Sequence, residues 1–262
     1  MDRSTRRRDA KRLFVWLGVA LIVAAAATVG YLGTPYHGTP ESIAAVEDDP
    51  RLSVDRTDGG YVLQPANRTP AAGVVFYPGG RVDPDAYVGS LSALPREANV
   101  TVVVPKLPLN LAVVDYGLAQ NGLGSHAAES AMAEHPRIDE WYVGGHSLGG
   151  AMACRYAATS ENVEGLLLYA SYCDVDISER DLAVVSVTGD ADTVLNRTAY
   201  ERNRVHLPVS TRFTEVAGVN HTQFGSYTGQ DAPSGTSYET THRRLNRVVV
   251  PWLQNETVRH PN

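Results

Sequence analysis

Apolar and polar positions fall into blocks along the chain, and the blocks change character. From Leu13 to Leu32 twenty residues pass without a charge. A helix built from them is apolar on every face and about 30 Å long, the thickness of a bilayer core. Beyond residue 50 the apolar runs become short. Arg51–Asp55 and Tyr61–Gln64 flank Asp58-Gly59-Gly60 and predict a hairpin. Gly73–Tyr77 and Val100–Val104 read as buried strands, and Glu140–Gly144, Val163–Ala170, Leu182–Thr188 and Thr211–Val216 as further strands. Helical spacing predicts helices over Asp85–Leu94, over 113–134 with a break near Gly122-Leu123-Gly124, over Leu148–Thr159, near 198–203, and over Ser237–Gln254. Continuous apolar strands alternating with helices predict an α/β fold, a mostly parallel sheet covered on both faces. Ligands bind such sheets at the C-terminal ends of the strands, so the chemistry is sought there.

Charge gives the long apolar run a direction. Residues 1–12 hold six of the 23 Lys and Arg and two of the 29 Asp and Glu, and no Lys or Arg follows the run until Arg51. The positive-inside rule then places 1–12 in the cytoplasm, 13–32 across the membrane as a signal anchor, and the body outside. Trp16 and Tyr31 stand near the two ends, where amphipathic rings favour the interface. The competing reading is a signal peptide cleaved near Ala24–Ala27, which leaves a secreted body. Residues 33–50, rich in Pro, Gly and acid, read as a linker, and 51–262 as the folded domain. Five Asn-x-Ser/Thr tripeptides (Asn67, Asn99, Asn196, Asn220, Asn255) are compatible with an exported body. Beyond residue 12 there are 17 Lys and Arg, only one of them lysine, against 27 Asp and Glu. Such a body repels nucleic acid and anionic lipid. Two cysteines exclude a disulfide scaffold; Cys154 and Cys173 either pair or remain buried thiols.

The strongest chemical signal is Gly145-His146-Ser147-Leu148-Gly149, between the strand WYVG and the helix LGGAMACRYAA. A strand-to-helix turn of this kind holds its serine up in a strained conformation at a helix N-terminus. The helix dipole and the Leu148 N–H then face charge developing on an attacked carbonyl. Serine needs a base, and this arrangement places an acid and then a histidine later in the chain. Gly189-Asp190-Ala191-Asp192 follows AVVSVT; Asp192 is favoured as the acid and Asp190 as a turn residue bonding backbone amides. His221, in VNHTQF after the last strand, is the expected base. His206 precedes that strand, His242 lies in the last helix and is expected to be solvated, His260 is in the tail, and His146 is expected to pack beneath the turn. A second oxyanion donor is expected from Tyr77-Pro78-Gly79-Gly80-Arg81: Gly80, or alternatively Arg81.

On FYPGGRVDPDAY, VVPKLPLNLAV, WYVGGHSLGGAMA, LLLYASY, GDADTVLN and GVNHTQFGSYTGQ, in that order over most of 60–230, the chain resembles the alpha/beta hydrolases, and more narrowly their small fold-5 family. The resemblance implies Ser147, Asp192 and His221 as nucleophile, acid and base, and Gly80 and Leu148 as the oxyanion hole. Cys173 and the segment DAPSGTSYE after Gln230 depart from the family pattern. Lys106 is a candidate for an anionic substrate group or a structural cation, and Phe224 for the acyl site or the core. No metal-binding, Walker or dinucleotide pattern is present, so no metal or cofactor is expected. Only 11 residues separate Ala170 from Leu182, where many relatives insert a lid, so an open site for small or short-chain substrates is expected. The expectation is a membrane-anchored serine hydrolase of small-molecule carboxylic esters. A peptidase or acyltransferase with the same three residues, or a catalytically silent binding domain displayed on the membrane, is the alternative.

Overall fold

The computed structural model describes residues 3–259; the side chains of 3–13, 15, 258 and 259 lie outside the description, and so does the expectation for His260. The chain forms two units, residues 1–35 and 36–262.

The described part of the first unit is one 30-residue helix, α1 (Arg3–Leu32). Phe14, Trp16, Leu21 and Ile22 on it are 70–74% exposed. Among the described residues no helix is long and apolar enough to cross a membrane. The start of the apolar run expected to span, together with the basic tail before it, falls among the undescribed side chains.

The second unit begins earlier than composition suggests. Tyr36 bridges to Val82, and α2 (Pro40–Glu47) starts with proline at its first turn and buries Val46 in the core. The expected linker 33–50 is therefore corrected: from Tyr36 onward it is part of the body. An eight-stranded sheet follows. β1 (Leu52–Thr57) and β2 (Gly60–Pro65) form the expected hairpin, and β2 pairs antiparallel with β4 (Val100–Pro105). The rest is parallel: β3 (Ala72–Tyr77), β5 (Trp141–His146), β6 (Gly165–Tyr169), β7 (Ala183–Gly189) and β8 (Arg212–Val216). The spatial order is β1-β2-β4-β3-β5-β6-β7-β8. The chain winds from β3 outward to β4, then crosses back to β5, so the direction of winding reverses between β3 and β5. That is where a doubly wound sheet opens a crevice at its strand ends.

Alternate residues of each strand feed two cores, as the pleat requires. Val74, Phe76, Val102, Tyr142, Leu167 and Val185 pack with Leu91 of α3 (Val88–Leu91), and with Leu245, Val249 and Trp252 of the last helix. Val75, Val103, Val143, Leu166, Leu168 and Val184 face α4 (Ala112–Gln120), α5 (Ala127–Glu134) and α6 (Leu148–Thr159), where Ala112, Ala128, Met152 and Ala153 lie. α7 (Arg197–Asn203) is capped by Asn196, whose side chain accepts from the Ala199 N–H, and α8 (Tyr238–Arg259) closes the fold. The helix expected over Asp85–Leu94 is broken instead. A 3-10 turn at Pro84–Tyr87 leads into α3, and a wider turn at Leu94–Ala98, carrying Pro95, follows it.

Candidate active site

β5 ends at His146, and Ser147 follows with φ 52° and ψ −123°, a strained conformation for a side-chain-bearing residue. The strain is enforced from both sides. A Cβ on Gly145 would stand 2.5 Å from the Gly149 carbonyl carbon, and one on Gly149 would strike the Tyr77 and Pro78 carbonyls of the neighbouring strand end. Hydrogen bonds fix the rest of the turn. The Ser147 N–H donates to the Tyr169 carbonyl (2.9 Å), and the Ser171 hydroxyl donates to the Ser147 carbonyl (2.7 Å). The Cys154–Cys173 disulfide, Cα–Cα 5.6 Å, ties α6 to the loop that carries Ser171. The two cysteines are therefore paired, one of the two alternatives the sequence left open.

The residues expected as acid and base meet. His221 Nδ1 lies 2.9 Å from Asp192 Oδ2, with both side chains at most 2% exposed. Asp192 Oδ1 accepts from the Val194 and Leu195 N–H groups (2.8 and 2.9 Å). The carboxylate is thus an acceptor throughout, which puts the proton on Nδ1 and leaves Nε2 as the basic nitrogen. Asp190 is a turn residue as expected, its Oδ1 accepting from the Gly218 N–H (2.6 Å). Asn220 caps the turn that holds His221: its side chain accepts from the Gln223 N–H, and Gln223 answers the Asn220 N–H.

Facing the serine is the loop after β3. The Arg81 N–H is taken by the Asn110 carbonyl (2.8 Å), while the Gly80 N–H has no partner among the described residues. Gly80 adjoins Leu148: a Cβ placed on it would lie 3.5 Å from Leu148 Cδ2. Of the two oxyanion candidates, the arrangement leaves Gly80 free to donate and Arg81 engaged.

His146, His242 and His206 each have other places. His146 is fully buried, with its ring 4.4 Å from that of His221. Burial, and then the neighbouring His221, hold His146 well below the usual imidazole range, so it is neutral. Tyr87 OH accepts from the Gly79 N–H (2.9 Å) and reaches His146 Nδ1 (2.9 Å). Burial pushes the Tyr87 phenol up, so it keeps its proton for Nδ1. His242 is not solvated, contrary to expectation: α8 packs it against the turn after His221, where its Nε2 meets the Gly225 carbonyl (3.0 Å). His206 Nδ1 meets the Cys173 carbonyl.

Two candidates lie apart from the pocket chemistry. The Lys106 ammonium is paired with Asp83, beside a His37–Asp85 contact of 2.8 Å. Phe224 is fully buried, stacked on His146 at 5.6 Å and tilted against Tyr169 at 5.2 Å; it packs the floor beneath the base rather than lining an acyl site. A cavity of about 600 Å³ between α2, α3 and α8 touches neither Ser147, Asp192 nor His221. Sequence reasoning gave no role to Tyr87, Ser171, Gln230 or Asp231, which bond the backbone of the site.

The profile of the alpha/beta hydrolase family matches residues 73–243, about two thirds of the chain. The chain belongs to the alpha/beta hydrolase family. Within this hydrolase the match runs from β3 into α8 and covers Ser147, Asp192 and His221. No curated protein matches it. Among solved structures it is similar to TT1662 from Thermus thermophilus, at 15% identity and a TM-score of 0.49, over 79% of this chain and 98% of that one.

Proposed function

We propose that this alpha/beta hydrolase is a membrane-anchored serine hydrolase of carboxylic esters, with Ser147 as nucleophile, His221 as base and Asp192 as its orienting acid. The observation that carries the proposal is the Asp192–His221 hydrogen bond, with the His221 ring 4.4 Å from that of His146, the neighbour of a strained serine at a helix N-terminus. His221 Nε2 takes the Ser147 proton as Oγ attacks the acyl carbon. The oxyanion is met by the Leu148 and Gly80 N–H groups, fixed before substrate arrives. The imidazolium gives its proton to the leaving alcohol as the C–O bond breaks. Water then enters, loses a proton to Nε2, and releases the acid from the acyl-enzyme. Asp192 fixes the imidazole tautomer and orientation through its bond to Nδ1.

Ser147 is half-buried at a rim where 171–182 carries no helix, which favours small or short-chain esters over long acyl chains. Membrane attachment through residues 13–32, with the body extracytoplasmic, is supported by the exposed apolar residues of α1 and by a disulfide suited to an oxidising compartment. The decisive experiment is labelling with a fluorophosphonate probe alongside turnover of a short p-nitrophenyl ester. Wild type labels and turns over; Ser147→Ala does neither. Labelling or turnover retained in that variant refutes the assignment, and an unlabelled wild type returns the silent binding domain.

A further inference from the structure

Three loops carry the proposed catalytic groups: 78–81 after β3, 190–195 after β7, and 219–224 after β8. One dipeptide is hydrogen-bonded to all three. Gln230 Nε2 donates to the Gly80 carbonyl (2.8 Å), across 150 positions of sequence. Gln230 Oε1 accepts from the Tyr227 hydroxyl (2.7 Å). Burial pushes the Tyr227 phenol well up, so it is a donor, and the Gln230 amide has one consistent orientation. Next to it, Asp231 Oδ2 accepts from the His221 N–H (2.9 Å) and the Thr193 N–H (3.2 Å). Its Oδ1 accepts from the Thr193 hydroxyl and the Ala232 N–H. One carboxylate therefore bridges the base itself and the residue that follows the acid. Partial burial pushes the Asp231 carboxyl up, but the Thr193 hydroxyl and the three N–H groups outweigh it and hold the group below its ordinary value. The segment behind is tied in turn, Asn220 Nδ2 donating to the Ala232 carbonyl (2.6 Å) and the Ser234 hydroxyl to Gln223 Oε1 (2.7 Å).

We propose that Gln230 and Asp231 form a positioning dyad that holds the oxyanion loop in register with the Asp192–His221 pair. The proposal rests on the serine-hydrolase reading and names how that site is held together. Neither side chain touches reacting atoms; each acts through the backbone of another residue. The Gly80 carbonyl and the Arg81 N–H belong to one peptide. Gln230 holds the first and Asn110 the second, so the peptide after Gly80 is fixed; the Val82 N–H on the Gly79 carbonyl (3.1 Å) holds the peptide before it, which carries the Gly80 N–H, and Gln230 keeps the two in register. Fixing the His221 main-chain N–H sets where its Cα presents the imidazole to Asp192. The two halves act on different groups, so their losses carry different signatures.

The full chain serves for the test: wild type, Ser147→Ala, Gln230→Leu and Asp231→Asn, with Gln230→Met and Asp231→Ser as second variants should the first fail to fold. A short p-nitrophenyl ester is the substrate, and phenylboronic acid is the probe for an anionic tetrahedral adduct at Ser147. Gln230→Leu lowers kcat about tenfold with KM held, weakens boronate inhibition by the same factor, and leaves the acid limb of the pH profile in place. Asp231→Asn lowers kcat about tenfold and moves the acid limb to lower pH. Asp231 brings a negative charge onto the His221 main chain, and the substitution removes it. Rates, boronate inhibition and pH limbs within twofold of wild type in folded variants overturn the dyad while Ser147-dependent hydrolysis stands. A wild type that neither turns over ester nor labels with phosphonate overturns the underlying reading too.

Discussion

Reduction of the Cys154–Cys173 disulfide tests how much of the Ser147 turn is held from behind. The two cysteines are 19 positions apart, both fully buried, one on α6 and the other two residues beyond Ser171. Closing a loop of that length removes chain entropy from the unfolded state worth about 3 kcal/mol at 25 °C. For a folded unit of this size a urea m-value is about 3 kcal/mol/M, so reduction should lower the unfolding midpoint by about 1 M. The assay is urea unfolding followed by tryptophan fluorescence, with and without a phosphine reductant, the reduced sample being prepared by refolding. Trp141 and Trp252 lie in the two cores and report on both faces of the sheet. A midpoint that moves by less than about 0.3 M, or that rises on reduction, would refute the reasoning. The reduced, folded protein should also keep the Ser171–Ser147 hydrogen bond, because both groups are held by β5 and β6, so phosphonate labelling should slow by no more than about threefold.

Asp192→Asn keeps the shape but no longer selects the imidazole tautomer, so kcat should fall by about 10³–10⁴ with KM little changed, whereas Asp190→Asn should stay within a few-fold; steady-state ester kinetics separate the two acids. His146 and His242 are both depressed below the ordinary imidazole value, chiefly by burial, so below pH about 6.5 the unfolded chain binds protons that the folded one refuses. Their contribution is present above pH about 6.5 and is lost as pH falls, by up to about 1.4 kcal/mol per unit for each; urea midpoints between pH 7.5 and 5 should fall, and a flat profile counts against the buried neutral pair. Removal of residues 1–35 should release the body from the membrane fraction with kcat unchanged, as read by carbonate extraction and ester turnover. A truncated protein still sedimenting with membranes would remove the anchor from the proposal.

The central strands were legible because they are continuous apolar runs bounded by Pro, Gly or acid, while β1 and β8, mixed in character and largely exposed, were placed by the hairpin turn and by order; the ends moved by only a residue or two. Ser147 was legible because its turn tolerates only glycine on either side. Asp192 and His221 followed from order and from the loops they occupy. Other features are invisible in a one-dimensional pattern. Residues 36–50 look like a linker by composition, yet Val46 finds the core and Gly38 donates its N–H to Asp85. His242 looks solvated until α8 turns it against Gly225. Gln230 and Asp231 act by bonding backbone groups of residues up to 150 positions away, and any polar side chain in a loop has the same sequence signature.

The cap on the His221 turn constrains how the protein can be produced. Asn220-His221-Thr222 is an acceptor tripeptide for oligosaccharide transfer, and Asn220 is 3% exposed with its amide nitrogen bonded to the Ala232 carbonyl. A sugar attached to that nitrogen during synthesis, before the chain closes, would occupy the space the turn needs and push His221 out of line. Secretion through a glycosylating host therefore risks a well-expressed but idle fraction, and a host without that machinery avoids it.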